Sequence, residues 1–205
     1  RNSIFSGLMP LEISKIFPDA WLFDEEEGGK NLREEELFIK QLNRVGKNYK
    51  FRYEKVINSK AGKKLVESVN DLKNFDLNII VYNFVDMLSH SHTDMEMIRE
   101  LTNNESAYRS VTASWFQHSY LLELIRILSN EPAKFIITTD HGSIRVNYAV
   151  RVVGDAQTST NLRYNLGKNL DFNPRDVFEI KNPEEVRLPR SNITSKYIFA
   201  SGYDY

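Results

Sequence analysis

Two short stretches of the chain carry an aspartate and a histidine at a spacing that suits metal chemistry. The first contains Asp86 and His90, and the second contains Asp140 and His141. Carboxylate oxygens and imidazole nitrogens are ligands that zinc accepts. The sequence contains no cysteine, so no thiolate can serve as a ligand. These four residues are therefore the candidate ligands of a divalent metal.

Each of these pairs follows an apolar run that predicts a strand. Asp86 comes after residues 79–85, and Asp140 comes after residues 135–137, which read as a buried strand. In open α/β sheets ligands bind outside the carboxyl ends of parallel strands, so neighbouring strands bring both pairs together. One pair alone is better interpreted as a turn-forming aspartate and a packed histidine. The repetition at two strand ends favours the metal site.

Composition indicates a globular chain without a general affinity for nucleic acid. Its 205 residues are 41% hydrophobic, and 27 basic and 28 acidic residues leave a formal net charge of -1. No run approaches the roughly 18 apolar residues of a transmembrane helix, and the N-terminus lacks a signal-peptide pattern. The lack of cysteine agrees with a reducing compartment. We therefore expect one cytoplasmic domain with no membrane partner.

The first third of the chain predicts helices and one strand. Residues 8–17 should form short helical pieces, with Pro10 at a first helical position and Pro18 as a stop. Asn31 and Glu34 form a capping box for the next helix. The acidic runs 25–27 and 34–36 are interpreted as solvated faces rather than cation sites. Residues 49–54 alternate as a strand with one wet face, and Ser59 caps the helix that follows.

The sequence after residue 93 predicts a helical crossover and several strands. Residues 94–129 are helical by periodicity and join the two metal-bearing strands, with His118 as a packing histidine. Further strands are predicted at residues 144–152, 177–180 and 197–200. The polar stretch 158–169 suits either phosphate contact through Arg163 or Lys168, or an ordinary solvated loop. Similarly, His92 either contacts a phosphate or starts a helix.

Three strings resemble a known family. They are RNSIFSGLMP at residues 1–10, NFVDMLSH at 83–90 and TTDHG at 138–142. The Asp/His pairs resemble the two-metal site of the alkaline phosphatase superfamily. More specifically, the strings resemble the PglZ domain, and are closest to the effector region of PorX-type response regulators of Bacteroidetes, over essentially the whole chain. The resemblance implies an α/β fold with a mostly parallel sheet flanked by helices.

The resemblance also implies a site and a reaction. A pair of metals, usually zinc with manganese as the alternative, binds a phosphate ester and activates a threonine nucleophile. Two divalent ions about 4 Å apart can stabilise the attacking and leaving oxygens of a phosphoryl displacement. The expected metal ligands are Asp86 with His90 and Asp140 with His141. Apart from the resemblance, the residues themselves suggest Asn2, His92, Arg163 and Lys168 as substrate contacts.

The implied function is phosphoester hydrolysis by the output domain of a two-component response regulator. Family members resemble phosphodiesterases of cyclic and linear oligonucleotides, and regulate type IX secretion when their receiver domain is phosphorylated. Expected partners are the substrate, the protein's own receiver domain and a transcription or secretion regulator, while a homodimer is left open. The alternative is a catalytically silent module that binds a nucleotide or such a regulator.

The family's pattern extends beyond both ends of this sequence. Its threonine nucleophile precedes the equivalent of Arg1, a further aspartate ligand lies earlier, and a further histidine ligand follows the last strand. We therefore expect residues 1–205 to be a PglZ-like domain truncated at both ends, without a receiver domain and without a catalytic nucleophile.

We predict that the chain as it stands hydrolyses phosphodiesters poorly. Water must replace a positioned nucleophile, and a misplacement of about 1 Å already costs about 100-fold in rate. The assay measures hydrolysis of bis-p-nitrophenyl phosphate with added zinc, for this chain and for one extended at both ends. Equal turnover by the two chains would contradict the assigned nucleophile and outer ligands.

Overall fold

The computed structural model of the protein describes residues 1–21, 32–84, 87–88, 96–102, 104–142, 144–155, 158, 163–190 and 196–205. These residues pack as two units, one made of Arg1–Lys47 with Thr139–Tyr205 and the other of Asn48–Thr138. Both units combine helices with small sheets, which confirms the predicted α/β class.

Short helices open the first unit. Helix α1 spans Asn2–Ser6, α2 spans Pro10–Ile16, and a single 3₁₀ turn spans Pro18–Ala20. Pro10 occupies the first position of α2, where its missing N–H is not needed, and Glu12 accepts a hydrogen bond from the Met9 N–H at 2.8 Å. The predicted helical pieces around residues 8–17 are therefore confirmed.

The end of α1 is fixed against α3, which spans Glu34–Arg44. Gly7 has a φ of +62°, a backbone conformation that favours glycine, and a Cβ there would require the end of the flexible Gln41 side chain, 2.5 Å away at Nε2, to shift. Arg44 Nη2 donates to the Ser6 carbonyl at 2.6 Å. A positive charge at the carbonyl end of a helix stabilises the helix, and the hydrogen bond from Arg44 also links α3 to the end of α1.

Helix α3 departs from the prediction at its start. Its N-cap is Arg33, and the predicted cap Asn31 lies outside the described residues. Glu34 is 1% exposed, so the interpretation of residues 34–36 as a solvated face is wrong for this residue. Glu34 and the fully buried Leu37 are three residues apart, which places them on one face of the helix. The buried face overrides the local charge pattern.

The second unit is built on a parallel strand pair. Strand β1 (Phe51–Val56) pairs with β2 (Leu77–Tyr82) from Phe51↔Leu77 to Val56↔Tyr82. Helix α4 (Ser59–Glu67) and a 3₁₀ segment (Val69–Asn74) connect them. The buried core consists of Val56, Leu65, Val69, Leu72 and Leu124. Both strands and the helix confirm the predicted elements, with boundaries shifted by a few residues.

The predicted long helical segment is divided into three helices. These are α5 (Glu96–Leu101), α6 (Glu105–Gln117) and α7 (Tyr120–Leu128). Asn104 caps α6 by accepting a hydrogen bond from Ala107 N through its side chain, and Ser119 caps α7 in the same way from Leu122 N. His118, predicted to pack, is exposed at the end of α6. None of the described helices is long and apolar enough to cross a membrane.

The predicted buried strand at residues 135–137 is not formed. Phe135, Ile136 and Ile137 are 44%, 82% and 82% exposed, and no strand in the described part of the chain pairs with them. Apolar, β-branched residues favour an extended backbone, but a strand also needs a partner whose hydrogen bonds and side chains cover it. The sequence pattern carries no information about that partner.

Antiparallel strands complete the first unit. Strand β3 (Val152–Val153) pairs with β5 (Asp171–Phe172), and the central β7 (Lys196–Ala200) pairs with β4 (Tyr164–Gly167) and β6 (Val177–Ile180). A 3₁₀ turn spans Pro183–Val186. The buried residues Leu170, Val177 and Ile198 form their core. Among the described strands only β1 and β2 are parallel, whereas the prediction was a mostly parallel sheet.

Two predicted segments of this region differ from the structure. Residues 144–150 were predicted as a strand but have no regular secondary structure, although Asn147 N donates to Tyr203 O at 2.8 Å and Tyr205 N to Tyr148 O at 2.9 Å. The polar stretch 158–169, predicted as a loop, contains β4, because Leu166 is buried against the sheet. Long-range pairing decides both outcomes.

We predict that Asn58, rather than Ser59, caps α4. Asn58 Oδ1 accepts a hydrogen bond from Ala61 N at 2.9 Å, whereas Ser59 is the first helical residue. Asn58→Ala should lower the free energy of unfolding by about 1 kcal/mol, as loss of a cap typically does. The matched control Ser59→Ala should change it by less than about 0.5 kcal/mol. Urea denaturation measures both, and equal losses would contradict the assignment.

We also predict the titration of Glu36. Hydrogen bonds from Lys40 and Arg33 outweigh the opposing effect of burial and hold the pKa of Glu36 below its ordinary value of 4.5. A carboxyl with a lowered pKa stabilises the fold above its ordinary pKa, and this contribution is lost as the pH falls through the lowered value. Lys40→Met should raise the pKa of Glu36 in a carbon-13 NMR titration. The control Lys63→Met, on helix α4, should leave the pKa of Glu36 unchanged. A fall in the pKa of Glu36 with Lys40→Met would show that Lys40 does not lower it.

Candidate metal site at Asp140 and His141

Asp140 is held by an ion pair with a residue far away in the sequence. Arg1 Nε donates to Asp140 Oδ2 at 3.0 Å, across 139 positions of the chain. The side chains of Arg1 and Asp140 are 11% and 24% exposed. Such partly buried, charge-assisted contacts are stronger than ion pairs on an open surface. The contact therefore fixes the carboxylate in a segment that has no regular secondary structure.

The surroundings of Asp140 favour its ionised form. Burial raises the pKa of this carboxyl, but a hydrogen bond with its own backbone and the hydrogen bond from Arg1 together lower it more. The pKa therefore lies below the ordinary value of 3.8. An ionised carboxylate at neutral pH is the form that coordinates a metal.

His141 presents one ring nitrogen in the form that a metal requires. Its Nδ1 lies 3.1 Å from the Gly142 carbonyl oxygen, which can only accept, so Nδ1 carries the proton in that hydrogen bond. In the neutral ring the lone pair is then on Nε2, which lies 3.9 Å from Asp140 Oδ2. A backbone contact that orients the ring in this way is typical of metal-binding histidines.

The turn that joins these residues is closed by Thr139. The Thr139 hydroxyl donates to the His141 carbonyl oxygen at 2.6 Å. This hydrogen bond spans Asp140, the residue between them. This side-chain to backbone pattern is common in turns of irregular segments. The turn replaces the end of a strand as the element that positions Asp140 and His141.

A second carboxylate lies behind Arg1. Arg1 Nη1 is 3.7 Å from Glu34 Oε1, and the Glu34 side chain is 1% exposed. Glu34 opens α3, where a negative charge is favoured by the helix dipole. Sequence reasoning assigned Glu34 to a capping box and a solvated face rather than to this site, and used Arg1 only as part of a family string. The one available signal was the spacing of Glu34 from the apolar Leu37 on the helix.

The two described donor residues, Asp140 and His141, fit zinc. Asp140 supplies carboxylate oxygens and His141 an imidazole nitrogen, which are common zinc ligands. Among the residues that the structure describes, no three or more His, Cys, Asp or Glu are grouped closely enough to hold a metal. Three predicted site residues, Asp86, His90 and His92, lie outside the described residues.

The chain just before Asp86 is anchored by aromatic packing. Phe84 lies two residues after the end of β2. Its ring stacks on Trp115 of α6, with the ring centroids 3.9 Å apart and an interplanar angle of 3°. Tyr82 packs edge-on against the same indole ring, with the ring centroids 6.4 Å apart. Aromatic pairs add about 0.5–1.5 kcal/mol beyond the area they bury. These contacts fix the chain two positions before the predicted ligand.

The predicted substrate contacts have different surroundings. Asn2 is the first residue of α1, and its Oδ1 is buried. Arg163 Nη2 donates to the carbonyls of Ala200 and Gly202 at 3.1 and 3.0 Å, so this guanidinium holds the end of β7. Lys168 is exposed in the turn after β4. Lys168 is therefore the more available cation of the two.

Comparison with known proteins identifies the family. A search of curated proteins gives no match. A family model described as the BREX system PglZ alkaline phosphatase-like domain matches residues 1–203. This range includes all three sequence strings, the whole second unit and all but the last two residues of the first unit. The chain therefore belongs to the PglZ family of alkaline phosphatase-like domains.

Proposed function

We propose that this protein is a metal-dependent phosphoester hydrolase. Membership of an alkaline phosphatase-like family supports a phosphoesterase-like module. The observation that carries the metal dependence is the turn at Asp140 and His141, where an ionised carboxylate adjoins an imidazole oriented by a backbone carbonyl. Adjacent oxygen and nitrogen donors held in this way suit a zinc ligand pair.

The proposed site holds two zinc ions, with manganese as the alternative. Asp140 and His141 hold one ion, and Asp86 and His90 hold the other. When bound, such ions polarise the phosphate and stabilise charge on the attacking and leaving oxygens. The protein's own contribution is to keep the Asp140 carboxylate ionised and oriented, which Arg1 achieves through its hydrogen bond.

Substrate binding is assigned to four side chains. Lys168 is exposed and cationic, so it can approach a phosphate as a point charge. Arg163 would have to combine that role with its two contacts to backbone carbonyls. Asn2 and His92 complete the set of predicted substrate contacts. The contact of Arg163 or Lys168 with the substrate phosphate stays a prediction.

The proposed biological setting follows the family resemblance. The substrate class is a phosphodiester, with cyclic or linear oligonucleotides as the leading candidates. The domain would act in the cytoplasm as the output of a two-component response regulator and influence type IX secretion through a regulatory partner. Because the family description names the BREX system, a BREX protein is the alternative partner.

We predict that zinc binding depends on Asp140 and His141. Asp140→Asn keeps the size and the oxygen that accepts from Arg1 but removes the charge, and His141→Gln removes the ring nitrogen. Each should weaken zinc binding by more than about 10-fold, because even residues behind a metal ligand have effects of that size. Isothermal titration calorimetry on chelator-free protein measures the affinity and the number of zinc ions bound.

The chain offers a matched control for the histidine. His118 is also exposed, and its Nδ1 also contacts a backbone carbonyl, that of Ser114 at 2.8 Å. His118→Gln should leave zinc binding unchanged. If Asp140→Asn and His141→Gln keep the affinity and stoichiometry of the parent protein, the proposed metal site is wrong.

A further inference from the structure

Two consecutive backbone carbonyls beside the proposed metal ligands are each held by a side chain. The Thr139 hydroxyl donates to the His141 carbonyl oxygen at 2.6 Å. The next carbonyl, that of Gly142, lies 3.1 Å from Nδ1 of the His141 ring and accepts its proton. Rotation about the Cα–C bond of His141 would move both carbonyls, so the hydrogen bond from Thr139 also secures the contact that orients the ring.

This hydrogen bond acts where neither regular secondary structure nor burial fixes the backbone. Residues 139–142 form no helix or strand, and all four are exposed residues. Gly142 has no side chain, which adds backbone freedom at the carbonyl that holds the ring. In such a segment one side-chain to backbone hydrogen bond excludes conformations that a helix or a sheet would exclude elsewhere.

We infer that Thr139 raises the metal affinity of the site by holding His141 in its binding conformation. Without the hydroxyl, the folded chain would spend part of its time in conformations in which His141 and Asp140 do not face the same ion. The apparent dissociation constant rises as the fraction of molecules in the competent conformation falls. Thr139 is therefore a positioning residue that acts through the His141 backbone, and this inference rests on the proposed metal site.

The test compares single substitutions by their affinity for Zn²⁺. Thr139→Val keeps the branched shape but cannot donate, so it should weaken binding by about fivefold, the size expected from one typical hydrogen bond. Thr139→Ser restores the hydroxyl and should return the affinity to within about twofold of the parent protein. If Thr139→Ser is as weak as Thr139→Val, the hydroxyl is not the cause and the inference is wrong.

The matched control is Thr138→Val. Thr138 is exposed and lies one residue before the turn that the Thr139 hydroxyl closes, so loss of its own hydroxyl should leave zinc binding unchanged. The same loss of affinity in Thr138→Val and Thr139→Val would show a general effect of removing a polar group from this segment, and would contradict the positioning role.

Two further measurements separate positioning from other roles of Thr139. If Thr139 only stabilised the fold, Thr139→Val would lower the free energy of unfolding in urea but leave the zinc affinity of the folded protein unchanged, which would refute the inference. If the hydroxyl were itself a metal ligand, Thr139→Val would change the visible absorption spectrum of the Co²⁺-saturated protein, which would also refute it. Positioning predicts weaker binding with the same spectrum at saturation.

Failure of this inference is distinguishable from failure of the proposed site. If Asp140→Asn and His141→Gln keep full zinc binding, the site is wrong and the inference fails with it. If those two variants lose zinc while Thr139→Val binds it as tightly as Thr138→Val does, the inference alone is overturned.

Discussion

The candidate site depends on the ion pair between Arg1 and Asp140. Asp140 lies in a segment without helix or strand, so no regular hydrogen-bond ladder fixes its side chain. The contact at 3.0 Å provides the missing constraint and keeps the carboxylate ionised. It also places a positive charge beside the proposed metal ligand, and the buried Glu34 carboxylate lies 3.7 Å from the same guanidinium.

More exposed contacts also join two distant parts of the chain within the first unit. Arg187 Nη1 pairs with Glu12 at 2.9 Å, and the Arg187 carbonyl accepts from Leu11 N at 2.9 Å. The Lys15–Glu184 pair is longer, at 3.7 Å, and more exposed, so it contributes little. These contacts join helix α2 to the 3₁₀ turn at Pro183–Val186, which follows β6.

Local signals in the sequence were sufficient for elements that need few distant partners. Pro10 marked the start of α2, and the boundaries of β6 were predicted as observed. The strand at residues 135–137 and the solvated Glu34 were predicted wrongly, because strand pairing and burial depend on residues far away in the sequence. In the same way, the types of Asp140 and His141 indicated metal chemistry, while the contact of Arg1 with Asp140 spans 139 positions of the chain and leaves no local signal in the sequence. Asp86, His90 and His92 stay predictions.

The stack of Phe84 on Trp115 gives the protein an intrinsic optical label. The chain has only two tryptophans, Trp21 in the first unit and Trp115 in the second. Indole emission responds to the polarity and packing around the ring, and Trp115 is packed against Phe84 and Tyr82 at the end of β2. A chain with Trp21 replaced by phenylalanine would therefore have a single tryptophan, whose fluorescence reports the packing of Phe84 and Tyr82 just before Asp86 without any attached dye.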